Sequence, residues 1–219
     1  GKGNDLALEA ARAHPDRLRV MGVLNHEAPE SRGLLASWRE QPGMLGIRFN
    51  FRKDLFRNLL TEGQLEWVWA EAEAAKVPVM FLARHSDLHF IYDVARRHPQ
   101  LKFTLDHLGL ERAKGKGKEV FSDFDQVLRL GEVPNVAVKV SALPLFAEDA
   151  YPFRSFHPYL RRTYDAFGPK RMFWGSDMTR LSCPYRQVVT MFTEEMPWLT
   201  AEDKQWIMGR ALREWIGWN

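Results

Sequence analysis

The sequence holds a single cysteine, Cys183, so no internal disulfide can form, and a reducing compartment is the natural setting although one cysteine is also compatible with export. No apolar run approaches the length of a membrane span. The opening Gly1-Lys2-Gly3-Asn4 has no apolar stretch of the kind a secretory signal needs. A cytoplasmic protein without a membrane partner is therefore expected. No charge sign dominates: 31 lysines and arginines face 28 acids, a net charge of +3, and the basic residues are scattered among the acids. That balance argues against nucleic acid as a partner. No glycine-rich dinucleotide fingerprint follows any candidate strand. The run Lys114-Gly115-Lys116-Gly117-Lys118 lacks the trailing Lys-Ser/Thr of a phosphate-binding loop and reads as a solvated loop.

What is present is one repeated alternation over a chain that is 45% apolar and 27% charged. No linker or composition shift divides it, so residues 1–219 read as one domain. Short apolar strands are expected at residues 18–24, 45–49, 78–82, 102–106, 136–140 and 171–174. Helical patterns separate them. Asn4 can cap the first helix, residues 30–40 read as helical, and Leu65, Val68, Trp69 and Ala72 repeat at i, i+3, i+4, i+7. Leu88, Ile91, Tyr92 and Ala95 do the same, another helix is expected around 121–130, and Thr200 with Asp203 three residues on caps the last. Five of the eight tryptophans, Trp67, Trp69, Trp206, Trp215 and Trp218, fall on helices and read as packing. Six strands each followed by a helix imply parallel pairing with right-handed crossovers. A barrel and an open doubly wound sheet both satisfy that pattern.

In a parallel barrel the chemistry gathers at the carboxyl ends of the strands. Those ends carry Arg48 and Asn50; Arg84, His85 and Asp87; Asp106 and His107; Lys139 and Ser141; and Ser176, Asp177 and Arg180. Histidine, carboxylate and cations at five successive ends suggest a converging site. Each residue also has a plainer reading. His107 could be a hydrogen-bonded strand-end histidine, Asp177 a helix cap, and His85 the start of a helix. Arg48 is either a clamp for a substrate carboxylate or a salt-bridge partner. Lys139 is expected to point outward or into a barrel layer.

Two stretches, LKFTLDHLG (Leu101–Gly109) and RMFWGSDMTRL (Arg171–Leu181), resemble the sixth- and eighth-strand motifs of the amidohydrolase-2 family. PNVAVKVSAL resembles that family's seventh strand, GMLGIRFN its fourth, and IMGRALREWIGW its closing helix. The motifs occur in the family's order along essentially the whole chain. The branch containing sugar lactonases and the pyrone-dicarboxylate lactonase is the one most resembled. The resemblance implies a (β/α)8 TIM-type barrel, here strands three to eight, since the family's opening Asp-x-His-x-His strand has no counterpart. It implies either a longer natural protein or a gap filled by another chain.

The activity implied is water attack on a lactone or ester C–O bond of a small carboxylated or sugar-derived substrate. Asp177 and His107 would be catalytic, with Arg48, His85, Ser141 and Arg180 binding substrate. A metal, where present, would take Asp177 and His107. The family's zinc-dependent members place a histidine directly at the end of the fifth strand, where this chain has Phe81 and Leu82. No tightly bound zinc is therefore expected for this chain, and a divalent metal is left to a full-length protein. A metal-dependent decarboxylase of the same family and a non-catalytic binding module are the alternatives. The expected partner is a small molecule, and a homo-oligomer is left open.

Overall fold

The computed structural model describes residues 3–218; Gly1, Lys2 and Asn219, and with them the first part of the stretch read for a signal, lie outside the described residues. Six parallel strands form one curled sheet in sequence order: β1 (Val20–Gly22), β2 (Met44–Asn50), β3 (Val79–Leu82), β4 (Phe103–Leu105), β5 (Val136–Ser141) and β6 (Met172–Gly175). No strand order reverses, which separates a barrel from a doubly wound sheet: the fold is six strands of a (β/α)8 barrel.

Strand periodicity explains the packing. On β5, Val136, Val138 and Val140 join the large outer core, while Ala137, Lys139 and Ser141 point the other way, into the barrel. On β2 the outer face is Ile47 and Phe49, and the inner face is Gly46, Arg48 and Asn50. The outer layer is covered by helices including α3 (Glu66–Ala74) and α4 (Leu88–Arg97), whose apolar stripes fall where the sequence spacing put them. Trp69 sits edge-on to Phe49, Phe51 and Phe103 in that layer. At its lower end the inner face is apolar. There Ala137 and Phe173 form a separate cluster with Trp206 and Ala211, closed by Leu212 and Trp215. The chain's last helical segment runs from α8 (Ala201–Gln205) through a π turn (Trp206–Arg210) into α9 (Ala211–Ile216) and plugs the amino-terminal end of the barrel.

Some local expectations fail for identifiable reasons. Residues 30–40 are two 3-10 turns, Pro29–Ser31 and Leu34–Glu40, because Gly33 between them takes φ 79°. Asn4 does not cap α1 (Asp5–Ala13); its side chain instead pairs with both the N–H and the C=O of Val23, at 2.8 and 2.9 Å, tying the helix start to the end of the first strand segment. The helix expected around 121–130 is shortened to α5 (Asp125–Arg129) with 3-10 turns on either side. Helix α2 (Asp54–Thr61) was not anticipated, although Phe56, Leu59 and Leu60 repeat at helical spacing; Leu60 is buried and Phe56 and Leu59 pack against the outer core. The Thr200–Asp203 capping box forms in both directions.

Candidate active site

At the carboxyl end of the sheet lies a cavity of about 500 Å³. Its floor is set by Asp106, fully buried at the end of β4. Arg48 from β2 donates its Nε to Oδ2 of Asp106 at 2.7 Å, and Lys139 from β5 brings Nζ within 2.9 Å of Oδ1. Two inner-face cations from two strands thus meet on one carboxylate at the end of a third. Burial alone pushes the Asp106 carboxyl up, but the Lys139 ammonium and the Arg48 guanidinium outweigh it and hold it below the usual carboxylate range.

The next residue, His107, leaves the strand with φ 53°, and Leu108 follows at φ 51°. Two successive left-handed residues without glycine are costly, of order 1–3 kcal/mol each. The turn is held from outside: Arg52 donates Nη2 to the carbonyls of Gly109 and Leu110 at 2.7 and 2.6 Å. It swings the imidazole over the cavity, where Nδ1 meets Ser141 Oγ at 2.7 Å and Nε2 lies 3.8 Å from Asp177 Oδ2. Burial pushes the His107 imidazole down; Asp106 opposes that and Lys139 adds to it. At neutral pH the ring is uncharged. A neutral ring with Ser141 O–H donating to Nδ1 carries its proton on Nε2, which the facing carboxylate favours.

Asp177 follows β6 through Gly175 and Ser176, and also takes a left-handed conformation, φ 50°. It precedes a short 3-10 turn, Met178–Arg180, yet its side chain makes no capping bond. The plain reading of a helix cap is therefore not realised, and the carboxylate lines the cavity. Arg180 and Arg112, exposed on loops after β6 and β4, line the mouth.

His85 does not line this cavity, contrary to the expectation that it would border it. After Leu82 the chain enters a turn (His85–Asp87) that starts α4, and the His85 ring lies beneath Gly109, with Nε2 donating to the Leu108 carbonyl at 2.9 Å. Asp87 is buried too, gripped through both oxygens by Arg57 at 2.8 and 3.0 Å. The end of β3 therefore gives the cavity only Leu82. Ser141 touches it through His107. Arg52, Arg112 and Lys139 line it, and the sequence reading put none of them among the site residues. For Lys139 a signal was available: it shares the inner face of β5 with Ser141, which was singled out.

A zinc site needs three or four donors. The cavity offers His107 Nε2 and Asp177 Oδ2, while Asp106 is taken by two cations and His85 by a backbone carbonyl. Among the described residues no group of three histidine, cysteine, aspartate or glutamate side chains could hold a metal ion. The described residues alone do not fit such an ion.

The family model described as Amidohydrolase matches residues 1–214. The chain belongs to the amidohydrolase family. Among solved structures it is similar to an amidohydrolase from Burkholderia multivorans with bound zinc, with a TM-score of 0.84, 22% identity, and coverage of 98% of this chain and 78% of that one. It is similar to a probable 2-pyrone-4,6-dicarboxylic acid hydrolase from Acinetobacter baumannii with citric acid bound (TM-score 0.70, 20% identity, 100% and 80% covered). A dihydroxybenzoic acid decarboxylase from a Polaromonas species with manganese and the inhibitor 2-nitroresorcinol gives a TM-score of 0.70 at 14% identity, with 99% and 74% covered. At these identities the likeness establishes the fold. Among curated protein sequences nothing matches this amidohydrolase.

Proposed function

We propose that this amidohydrolase hydrolyses a lactone or related ester of a small carboxylated or sugar-derived molecule, with Asp177 taking the proton of the attacking water. The observation that carries the reading is the pairing of His107 and Asp177 at 3.8 Å on a cavity lined by five cations, Arg48, Arg52, Arg112, Lys139 and Arg180, against two acids, Asp106 and Asp177. Hydrolysis needs a base for water and a donor for the carbonyl. Asp177 is a carboxylate free of a cap at the cavity wall, and His107 is a neutral ring whose Nε2 proton faces the same space. The surplus of cations suits a substrate that carries carboxylate. Arg48, whose side chain is 36% exposed, and Arg180 are the groups that would hold it.

The A. baumannii relative, named for a lactone dicarboxylate and seen with citric acid, supports this substrate class. The decarboxylase relative, seen with manganese, keeps a metal-dependent decarboxylation as a second reading, but the cavity's own residues supply only two of the donors it needs. A binding role without turnover is the third.

The deciding experiment is a panel of small lactones and carboxylated esters, followed by proton release, with the wild type and Asp177→Asn. The amide keeps size and hydrogen bonding but cannot act as the base. We expect wild-type turnover and a loss of roughly 10²–10⁴-fold in the variant, with an unchanged circular dichroism spectrum. A folded Asp177→Asn protein as fast as the wild type would remove Asp177 from the chemistry. Carbon dioxide release in place of hydrolysis would favour the decarboxylase, and tight binding of citrate with no turnover on any substrate would favour the binding module.

A further inference from the structure

Lys139 is a cation that the reading above leaves without a task. It rises from the inner face of β5 with its side chain only 21% exposed, an unusual place for a lysine unless it is paired. It is paired, with Asp106, but the pairing does not consume it. Nζ stands 2.9 Å from Asp106 Oδ1, a pairing that takes at most one of its three N–H bonds. The other contact of Nζ is the Met80 sulfur at 3.7 Å, a weak acceptor. An ammonium has three N–H bonds, and Lys139 lines the cavity with donors to spare.

The space above it has been kept open. A Cβ on Gly175 would lie 3.6 Å from Lys139 Cε and 3.1 Å from Ser141 Cβ. Ser141 holds the His107 ring, so a side chain at 175 would press on the histidine's support and lie in contact with the lysine stem. The two neighbours that place Lys139, Asp106 and Gly175, stand one and two residues before His107 and Asp177. The cation therefore sits beside the backbone segments that carry the donor His107 and the base Asp177, where it can share the carbonyl oxygen with His107.

We propose that Lys139 is a catalytic residue of the hydrolysis, the donor that receives the negative charge developing on the carbonyl oxygen, with Asp106 as its positioning residue. This rests on the hydrolase reading. Asp177 takes a proton from water as the water oxygen bonds to the carbonyl carbon. The C=O π pair moves onto oxygen, which Lys139 Nζ–H holds. Collapse re-forms C=O, breaks the C–O bond, and the leaving oxygen takes the proton from Asp177. No outside oxidant, reductant or co-reactant is required. A fixed donor aimed at that oxygen costs no reorganisation during the reaction, which is why such groups weigh heavily on the rate. The ammonium, standing on a buried carboxylate, is oriented before substrate arrives.

The test uses full-length protein and the best lactone or ester of the panel, with kcat and KM measured separately and citrate binding measured by calorimetry. Lys139→Met should lower kcat by about 10²–10³-fold, the usual loss for one oxyanion donor, with KM and the citrate Kd within about threefold. Lys139→Arg should restore part of kcat, since the charge returns on a wider head. Lys139→Met leaves the Asp106 charge with one partner fewer and can fail to fold; the double variant Asp106→Asn/Lys139→Met removes that stranded charge and decides the matter in its place. A folded Lys139→Met or double variant with wild-type kcat overturns the proposal. A loss confined to KM and the citrate Kd also overturns it, making Lys139 a carboxylate binder. A wild type that hydrolyses nothing in the panel sinks the hydrolase reading and this proposal together, whereas an active wild type with an unaffected Lys139→Met sinks the proposal alone.

Discussion

The two ends of the same barrel are built to opposite rules. At the amino-terminal end, inner-face side chains are apolar: Ala137 and Phe173 pack on Trp206 and Ala211, and the closing helix seals them. Higher up the same strands the inner face turns to Lys139 and then to the paired Ser141 and Gly175, and the neighbouring strands bring Arg48 and Asp106 to the same cavity. The backbone follows the same division. His107, Ala142 and Asp177 take positive φ just after β4, β5 and β6 and line the cavity, Leu108 follows His107 into the core, and Lys76 and Phe153 take positive φ away from it. One end stores burial; the other stores strain and charge. Strain accepted at three positions around one cavity is what a site under functional constraint looks like.

Two substitutions should pull the ends apart. His107→Gln, at the upper end, should cost roughly 10²–10⁴-fold in kcat while leaving thermal stability within a few degrees, because the amide can still meet Ser141 Oγ. Phe173→Ala, at the lower end, should do the reverse. It empties an aromatic from a sealed layer and should cost about 3–5 kcal/mol of stability, with kcat per folded molecule close to wild type. Urea unfolding and steady-state kinetics on both variants check the pair. If Phe173→Ala lost rate while keeping its stability, the division between the ends would be wrong.

Acid should find the upper end first. Burial pushes both His85 and His107 below the ordinary histidine value of 6.5. In the unfolded chain these rings take up protons near that value, and in the folded chain they resist. The unfolded state therefore binds more protons as pH falls, and stability should decline from about pH 6.5 downward. Asp106 adds its share only lower: its depressed value means its stabilisation is present above the unfolded carboxylate range, near 3.8, and is lost as pH falls through the folded value. His85 should carry much of the early decline, because its Nε2 already donates to Leu108 and a second proton would place a buried Nδ1–H with no acceptor. His85→Gln should flatten the stability profile between about pH 6.5 and 5, measured as urea midpoints across pH. An unaltered slope would exclude His85 as the cause.

The contrast between the ends also explains what could be read from sequence. All six strands were legible, because inward and outward positions of a parallel sheet are both apolar over most of their length. His107 and Asp177 were legible as strand-end residues inside recognisable motifs, and they meet at 3.8 Å. Lys139 was named at its strand end but expected to point outward or into a barrel layer, because a lysine between valines shows its task only once the carboxylate that receives it is located on a neighbouring strand. His85 was overread for the mirror reason: proximity to a strand end says nothing about which way the next turn rotates the ring. Arg52 and Arg112 come from loops, whose paths carry no periodicity.

The smallest effect should come from the cap on the plug. Thr200 accepts from the Asp203 N–H at 3.1 Å and Asp203 returns the bond to the Thr200 N–H at 3.0 Å, both exposed, at the start of the segment that carries Trp206, Ala211 and Trp215 into the lower layer. Thr200→Ala removes one half of the box and should cost about 1 kcal/mol, a Tm decrease of roughly 2–4 °C for a chain of this size. The cavity lies at the far end of the strands, and no residue of this segment lines it. Rate and KM should therefore stay at wild-type values while Tm falls. Double substitution with His107→Gln should give the sum of the two single effects, since sites without shared partners add. A rate change in Thr200→Ala, or a departure from additivity beyond about 0.5 kcal/mol, would show that the plug does more than seal the barrel and that the two ends communicate through the inner face of β5 and β6.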